Sequence, residues 1–187
     1  DILTRRLRDL EADRIVRRIE LDLPASGVAY ELTELGDELD GAMLELGRWG
    51  LNFYSADSVA DISPIWLANA LRVVLQPPRE AALTVQLHSE GISSWLRIED
   101  GGSSAGRGEA GAPDLTISGP PPAIVAGMVV GSNAGVPGVE IEGDAKLLDE
   151  LRGWVVIPDR LRDEAQMMVE SGALLIAATE AAAAAAG

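Results

Sequence analysis

Leu3, Leu7 and Leu10 recur at spacings of four and three, which predicts a helix over residues 1–13 with one apolar stripe. At about 100° per residue, Arg5 and Arg8 fall opposite that stripe and Thr4 on its flank, so one face packs and the other is cationic. From Ile15 to Leu21 the composition becomes that of a strand, Pro24-Ala25-Ser26-Gly27 breaks the chain, and Val28 to Leu32 returns as a second strand. This is the pattern of a hairpin. Thr33 then precedes Glu34-Leu35-Gly36, and Leu35, Leu39, Met43, Leu46 and Trp49 follow at helical spacing. A helix over 34–49 is expected, capped by Thr33 and ended by Gly50.

After a short polar connection over 51–63, residues 64–75 read as a helix bearing Ile65, Trp66, Ala70, Leu71, Val74 and Leu75, stopped by Pro77-Pro78. Two alternating runs come next, with Leu83, Val85 and Leu87 facing one way in the first, and Ile92, Ser94, Leu96 and Ile98 in the second. The Gly- and Ser-rich stretch from Asp100 to Ala112 reads as a loose loop. A strand over 114–117, a helix over 120–130, a strand over 138–141 and a helix over 145–154 complete an α+β pattern: an antiparallel sheet covered by helices. Residues 159–179 are again helical in pattern and serve either as a lid or as a pairing surface. The run Ala181 to Ala186 is of low complexity and carries no packing specificity.

Composition changes this picture in one respect, the distribution of charge. The chain of 187 residues has a formal net charge of −15, which by itself argues against nucleic acid, since binding DNA requires Lys or Arg to displace counterions from phosphate. Yet Arg5, Arg6, Arg8, Arg14, Arg17 and Arg18 balance the acids of residues 1–23, so all the excess negative charge lies beyond them. Such asymmetry points to two jobs on one chain. With no cysteine and a single His, His88, the sequence offers no disulfide framework, zinc cluster or cysteine nucleophile. No apolar stretch reaches the roughly 18–20 residues of a membrane span and no signal segment opens the chain, so a cytoplasmic protein is expected.

Helix, Arg-bearing hairpin and helix follow one another as in the second half of a winged helix-turn-helix. A helix with a cationic face fits the major groove, where Arg can read guanine, and a hairpin beside it reaches along the backbone. The series Leu3-Thr4-Arg5-Arg6-Leu7-Arg8-Asp9-Leu10-Glu11-Ala12-Asp13, Ile15-Val16-Arg17-Arg18, Tyr30-Glu31-Leu32-Thr33-Glu34-Leu35-Gly36 and Leu46-Gly47-Arg48-Trp49-Gly50 closely resembles the HxlR family of regulators, relatives of MarR. The resemblance covers about residues 1–52. It implies a DNA-binding module that works as a homodimer on double-stranded DNA, with Thr4, Arg5, Arg8, Arg17, Ser26 and Gly27 as candidate DNA contacts. Two departures stand out. Helices that precede this point in the family are missing, as if the chain began inside a domain, and Arg14 occupies a position where Gly usually ends the helix.

The second half also carries a resemblance. Leu83 to Leu87, Trp95-Leu96-Arg97-Ile98-Glu99-Asp100-Gly101, Pro113-Asp114-Leu115-Thr116-Ile117 and Gly138-Val139-Glu140-Ile141-Glu142-Gly143-Asp144 with Leu147-Leu148 are similar to the sterol-carrier-protein fold in the reduced form attached to many HxlR-type regulators. It spans roughly residues 63–157 and implies a domain that holds an apolar small-molecule effector. Trp66, Leu83, Val85, Leu87, Leu96, Ile98, Ile124 and Met128 are the candidate lining. The expected organisation is thus a DNA-binding domain over 1–52, a ligand-binding domain over 63–157, and a C-terminal helix and tail over 158–187.

Other chemistry has little support. His88 lacks a second His or Cys at ligand spacing and reads as a surface or hydrogen-bonded residue. The Gly-rich stretch lacks the Lys-Ser or Lys-Thr ending of a phosphate-cradling loop, and no carboxylate pair sits where one pKa would be raised against the other. No enzymatic activity, cofactor or metal is expected. Of Arg17 and Arg18, which alternate on a strand, at most one faces DNA and the other pairs with an acid. The rival reading is a carrier of lipid or hydrophobic metabolite in which the winged-helix part serves only dimerisation.

Overall fold

The computed structural model describes residues 2–21, 27–55, 62–130 and 138–171. They form two compact units, Asp1–Gly47 and Arg48–Gly187.

The first unit contains α1 (Ile2–Ala12), an antiparallel hairpin of β1 (Val16–Leu21) and β2 (Gly27–Leu32), the short α2 (Glu34–Asp37), and most of α3 (Leu39–Gly50). The end of α1 is set by Arg14, whose φ is 62°. Its N–H donates to Glu11 O at 3.0 Å while the Ile15 N–H reaches back to Leu10 O at 2.9 Å, the two bonds of a Schellman closure. An arginine thus holds a left-handed position that glycine fills without penalty. Thr33 locks the opposite side of this turn. Its Oγ1 donates to Arg14 O at 2.5 Å and accepts from the Gly36 N–H at 3.1 Å, as an N-cap does, and its own N–H donates to Ile15 O at 3.0 Å. Gly36 is buried because α2 approaches the hairpin base so closely that a Cβ there would strike Ile15 O.

One expectation for this region is corrected. The single helix predicted over 34–49 is interrupted at Glu38, although that residue keeps a right-handed backbone (φ −60°, ψ −22°). Gly50 is the last residue of α3, but it does not end the helix by a left-handed turn. Its backbone is helical (φ −59°, ψ −29°) and the chain runs on as a tight 3₁₀ turn over Leu51–Phe53, since glycine ends a helix only when it turns left-handed.

The second unit is built on a five-stranded sheet of order β5-β4-β3-β6-β7, from β3 (Leu83–Ser89), β4 (Ile92–Glu99), β5 (Gly102–Arg107), β6 (Leu115–Ser118) and β7 (Glu140–Gly143). It is mixed rather than antiparallel, because β6 pairs parallel to β3 while every other pair is antiparallel. Asp114 sets that pairing: its carboxylate accepts from the Thr84 N–H at 2.7 Å and its N–H returns to Thr84 O at 2.8 Å. Gly143 ends β7 at φ 124°, where a Cβ would lie 2.5 Å from Asp114 O, which explains the glycine of the Ile-Glu-Gly-Asp junction.

The expected loop over 100–112 contains strand β5. Its small residues carry no strand pattern, but they pair along β4, and Gly106 leaves room for the Trp95 ring that a Cβ would strike. The guanidinium of Arg97 lies 5.5 Å from that ring. The outer face of β3 is pinned by Gln86, almost fully buried, whose amide donates to Ser94 O at 2.9 Å and Gly108 O at 3.2 Å and accepts from the Ala110 N–H at 2.6 Å. Its polar atoms are thereby satisfied.

A 3₁₀ turn over Pro64–Trp66 leads into α4 (Leu67–Val74), and α5 (Pro121–Val130), α6 (Ala145–Gly153) and α7 (Asp159–Glu170) complete the unit. Pro121 to Val129 are all buried, as befits a helix apolar all round. Its last carbonyls are served by Arg152, donating to Gly127 O, and by Arg162, donating to Val129 O. The predicted helix over 159–179 is described only to its first dozen residues; the rest, with the alanine run, lies outside the described residues. No helix among the described residues is long and apolar enough to cross a membrane.

Candidate nucleic-acid interface and apolar core face

Because α1 packs through the Leu7 side, its other face carries Thr4, Arg5 and Arg8, all exposed. Among the described residues none of Arg5, Arg6 or Arg8 enters an ion pair. The apolar stripe is less covered than its periodicity suggests: Leu7 is half-buried, whereas Leu3 and Leu10 are exposed.

On the hairpin, β1 and β2 pair Arg17 with Glu31 and Arg18 with Tyr30. The Arg17 guanidinium donates to the Glu31 carboxylate, while Arg18, on the opposite face, has no ion-pair partner among the described residues. One of the two arginines pairs with an acid, as expected, and it is Arg17, the one taken as a DNA contact, because strand register put Glu31 opposite it. Being exposed, that pair is worth at most about 1 kcal/mol and leaves the guanidinium free to exchange partners. Gly27 opens β2 and is exposed; Ser26, beside it, lies outside the described residues.

In the second unit, register stacks the candidate lining on one sheet face. Leu83 stands opposite Ile98 and Val85 opposite Leu96, with Leu87 next in the row, and such cross-strand apolar pairs are the unit of sheet packing. These five, with Ile124 and Met128 of α5, are buried in one cluster. Leu115 and Ile117 of β6 belong to it equally, opposite Val85 and Leu87. They were absent from the expected lining although the alternation Leu115-Thr116-Ile117 signalled them. The row ends at Ser89, which is buried and whose hydroxyl has no hydrogen-bond partner among the described residues.

Trp66 does not join this cluster, which corrects its assignment. It is 63% exposed, because α4 buries Leu67, Ala68, Leu71 and Val74 and helical geometry turns Trp66, Asn69, Ala70 and Val73 the other way. There it lines an open groove of about 590 Å³ with Tyr54, Ile62, Ser63, Asn69, Ala70 and Val73. Trp95 and Trp154 are half-buried. His88 is hydrogen-bonded, its Nδ1 lying 3.1 Å from Ser93 Oγ, and no cluster of metal-ligating side chains exists among the described residues.

Comparisons with known proteins bear on these two regions unequally. Over 51 residues, 27% of its length, the chain is 43% identical to the uncharacterized HTH-type transcriptional regulator YtcD of Bacillus subtilis (strain 168), and the match takes in 40% of that relative. The chain thus spans less than half the length of the curated relative it matches. Among solved structures it is similar to the UbiJ-SCP2 ubiquinone synthesis protein, at TM-score 0.32 and 15% identity over 70% of this chain and 97% of that one. It is also similar to the stereoselective inverting sec-alkylsulfatase Pisa1 from Pseudomonas sp., at TM-score 0.44 and 17% identity over 50% of this chain and 16% of that one. Residues 1–58, which hold the arginine-faced helix, the hairpin and the Thr33-capped helix, match the family model described as HxlR-like helix-turn-helix.

Proposed function

We propose that the protein is a DNA-binding transcription regulator acting as a homodimer in the cytoplasm, with its DNA occupancy tuned by an apolar small molecule held in the second unit. The observation that carries this reading is the exposed face of α1 bearing Thr4, Arg5 and Arg8, with no ion pair among the described residues, inside a stretch that matches a helix-turn-helix family model. In this reading residues 1–52 read DNA: α1 enters the major groove, the β1–β2 hairpin follows the backbone through Arg17 and Gly27, and the exposed Leu39, Met43 and Leu46 of α3 meet a second copy. Residues 63–157 hold the effector against the face of Leu83, Val85, Leu87, Leu96 and Ile98 beneath Ile124 and Met128, and residues 158–187 add a C-terminal helix. Ser89 meets the polar end of the ligand. Regulation requires the effector to bind the DNA-competent and DNA-incompetent states with different affinity.

The test is genome-wide DNA binding by the full-length protein in its source organism, compared with an Arg5→Ala/Arg8→Ala variant. Discrete sites lost in the variant are expected, since each arginine bidentate to guanine is worth about 1–3 kcal/mol of discrimination. Absence of discrete sites with tight retention of a long-chain alcohol would replace this reading with the carrier.

A further inference from the structure

The apolar face under the sheet ends in a corner that holds two buried donors and nothing to receive them. Ser89 closes β3 on the face of Leu83, Val85 and Leu87, since side chains alternate along a strand. It is 3% exposed, and its hydroxyl has no hydrogen-bond partner among the described residues. The start of α5 is brought to the same corner: the Gly119 N–H donates to His88 O at 3.0 Å, and only Pro120 separates Gly119 from the helix. The first turn of a helix leaves its N–H groups without intrahelical partners. In α5, Pro121 and Pro122 have no N–H to leave, and that of Ile124 is taken by Pro120 O at 3.1 Å. Ala123, 2% exposed, keeps the one N–H left over, and no acceptor for it stands among the described residues. The carbonyls that the same turn brings in, His88 O and Pro120 O, are engaged by Gly119 and Ile124. Glu90 and Gly91, which follow Ser89, are exposed, so the corner lies just beneath the surface.

Resting on the reading of the second unit as the holder of an apolar effector, we infer that this corner takes the carbonyl oxygen of a neutral, otherwise apolar molecule, which accepts from the Ser89 hydroxyl and the Ala123 N–H. Two donors without an acceptor suit an oxygen that has lone pairs and no hydrogen of its own. A carbonyl oxygen uses both donors and leaves nothing over. A hydroxyl or a water molecule brings hydrogens that would lack acceptors beside Leu87, Ile117 and Ile124, each wholly buried. A carboxylate brings a full charge and about four lone-pair sites, most of which two donors leave desolvated. The positive end of the α5 dipole adds attraction for the partial charge on the carbonyl oxygen.

The test titrates decan-2-one, decan-2-ol and decanoate as probes into the isotope-labelled full chain and into a Ser89→Ala variant. Saturable binding of decan-2-one is expected, roughly tenfold tighter than that of decan-2-ol. The Ala123 amide proton should shift downfield, and the carbonyl stretch of the bound ketone should fall in the infrared spectrum. Ser89→Ala should weaken the ketone roughly tenfold and remove its advantage over the alcohol. Because it deletes a buried hydroxyl without a partner, the substitution should leave the unfolding midpoint of the unliganded protein unchanged or raise it. Ketone and alcohol bound equally, with Ser89→Ala affecting neither, would overturn the carbonyl site while leaving the apolar effector domain standing. Tighter binding of decanoate would overturn the neutrality of the ligand. A lowered midpoint in the unliganded variant would mean that a trapped water already satisfies the hydroxyl, which removes the site. Binding of none of the three probes would overturn the effector domain and the site together.

Discussion

The two units of this chain solve the problem of folding differently. In the second, strands β3, β4 and β6 press a continuous apolar face against α4 and α5, and Val85, Leu87, Leu96, Ile117 and Ile124 are wholly shielded from solvent. In the first, Val16 is the buried apolar residue among those described, while Leu35, Leu39, Met43 and Leu46 are each 43–55% exposed. What organises the first unit is instead a knot of backbone contacts around the Schellman turn at Arg14, the Thr33 cap and the close approach of Gly36. A module held by local hydrogen bonds keeps its cationic face and its apolar stripe available to partners, whereas a module held by a core keeps its apolar surface to itself.

The sharpest way to break this comparison is to remove equal apolar volume from each side. Leu87→Ala should cost about 2–5 kcal/mol in urea unfolding, as buried leucines do. Leu35→Ala, at a half-exposed site, should cost under about 1 kcal/mol. Equal losses would show that the first unit has a core of its own.

A smaller effect is expected at the one place where the first unit is as tightly packed as the second. Gly36→Ala places a methyl against Ile15 O and should destabilise by about 1–3 kcal/mol, read as a fall in the thermal midpoint of the hairpin signals. If the substitution is neutral, α2 is free to shift and the knot is looser than its geometry indicates.

The smallest effect has the opposite sign. Arg14→Gly should stabilise by about 1 kcal/mol, since glycine takes the left-handed position that arginine holds at a cost, and chemical denaturation should record it as a higher midpoint at unchanged slope. DNA affinity should stay unchanged if Arg14 serves no recognition role. A drop in affinity would explain why an arginine is kept there.

Much of this was legible from residue order. Spacing alone located α1 and the hairpin to within a residue or two and found the helical stretch whose first turn, Pro64–Trp66, is 3₁₀ and whose remainder is α4; Thr33 announced the cap that it makes, and the alternation of Leu83, Val85 and Leu87 with Leu96 and Ile98 marked the face that is buried. These features depend on neighbours one turn or one pleat away, so local periodicity encodes them. The clustering of arginine in the first 18 residues likewise separated a cationic surface from an acidic remainder before any fold was known.

Tertiary structure decided the rest. Nothing near Gly102 to Arg107 spells a strand; β5 exists because β4 offers it an edge and Trp95 needs the space over Gly106. The parallel entry of β6 depends on Asp114 meeting Thr84, thirty positions away in the chain. Arg17 rather than Arg18 is paired because register set Glu31 across from it, and Trp66 faces a groove rather than the core because its four apolar neighbours on α4 claimed the buried side. Each outcome turns on which distant segment arrives at a given face, and a one-dimensional pattern specifies the face without naming the segment that covers it.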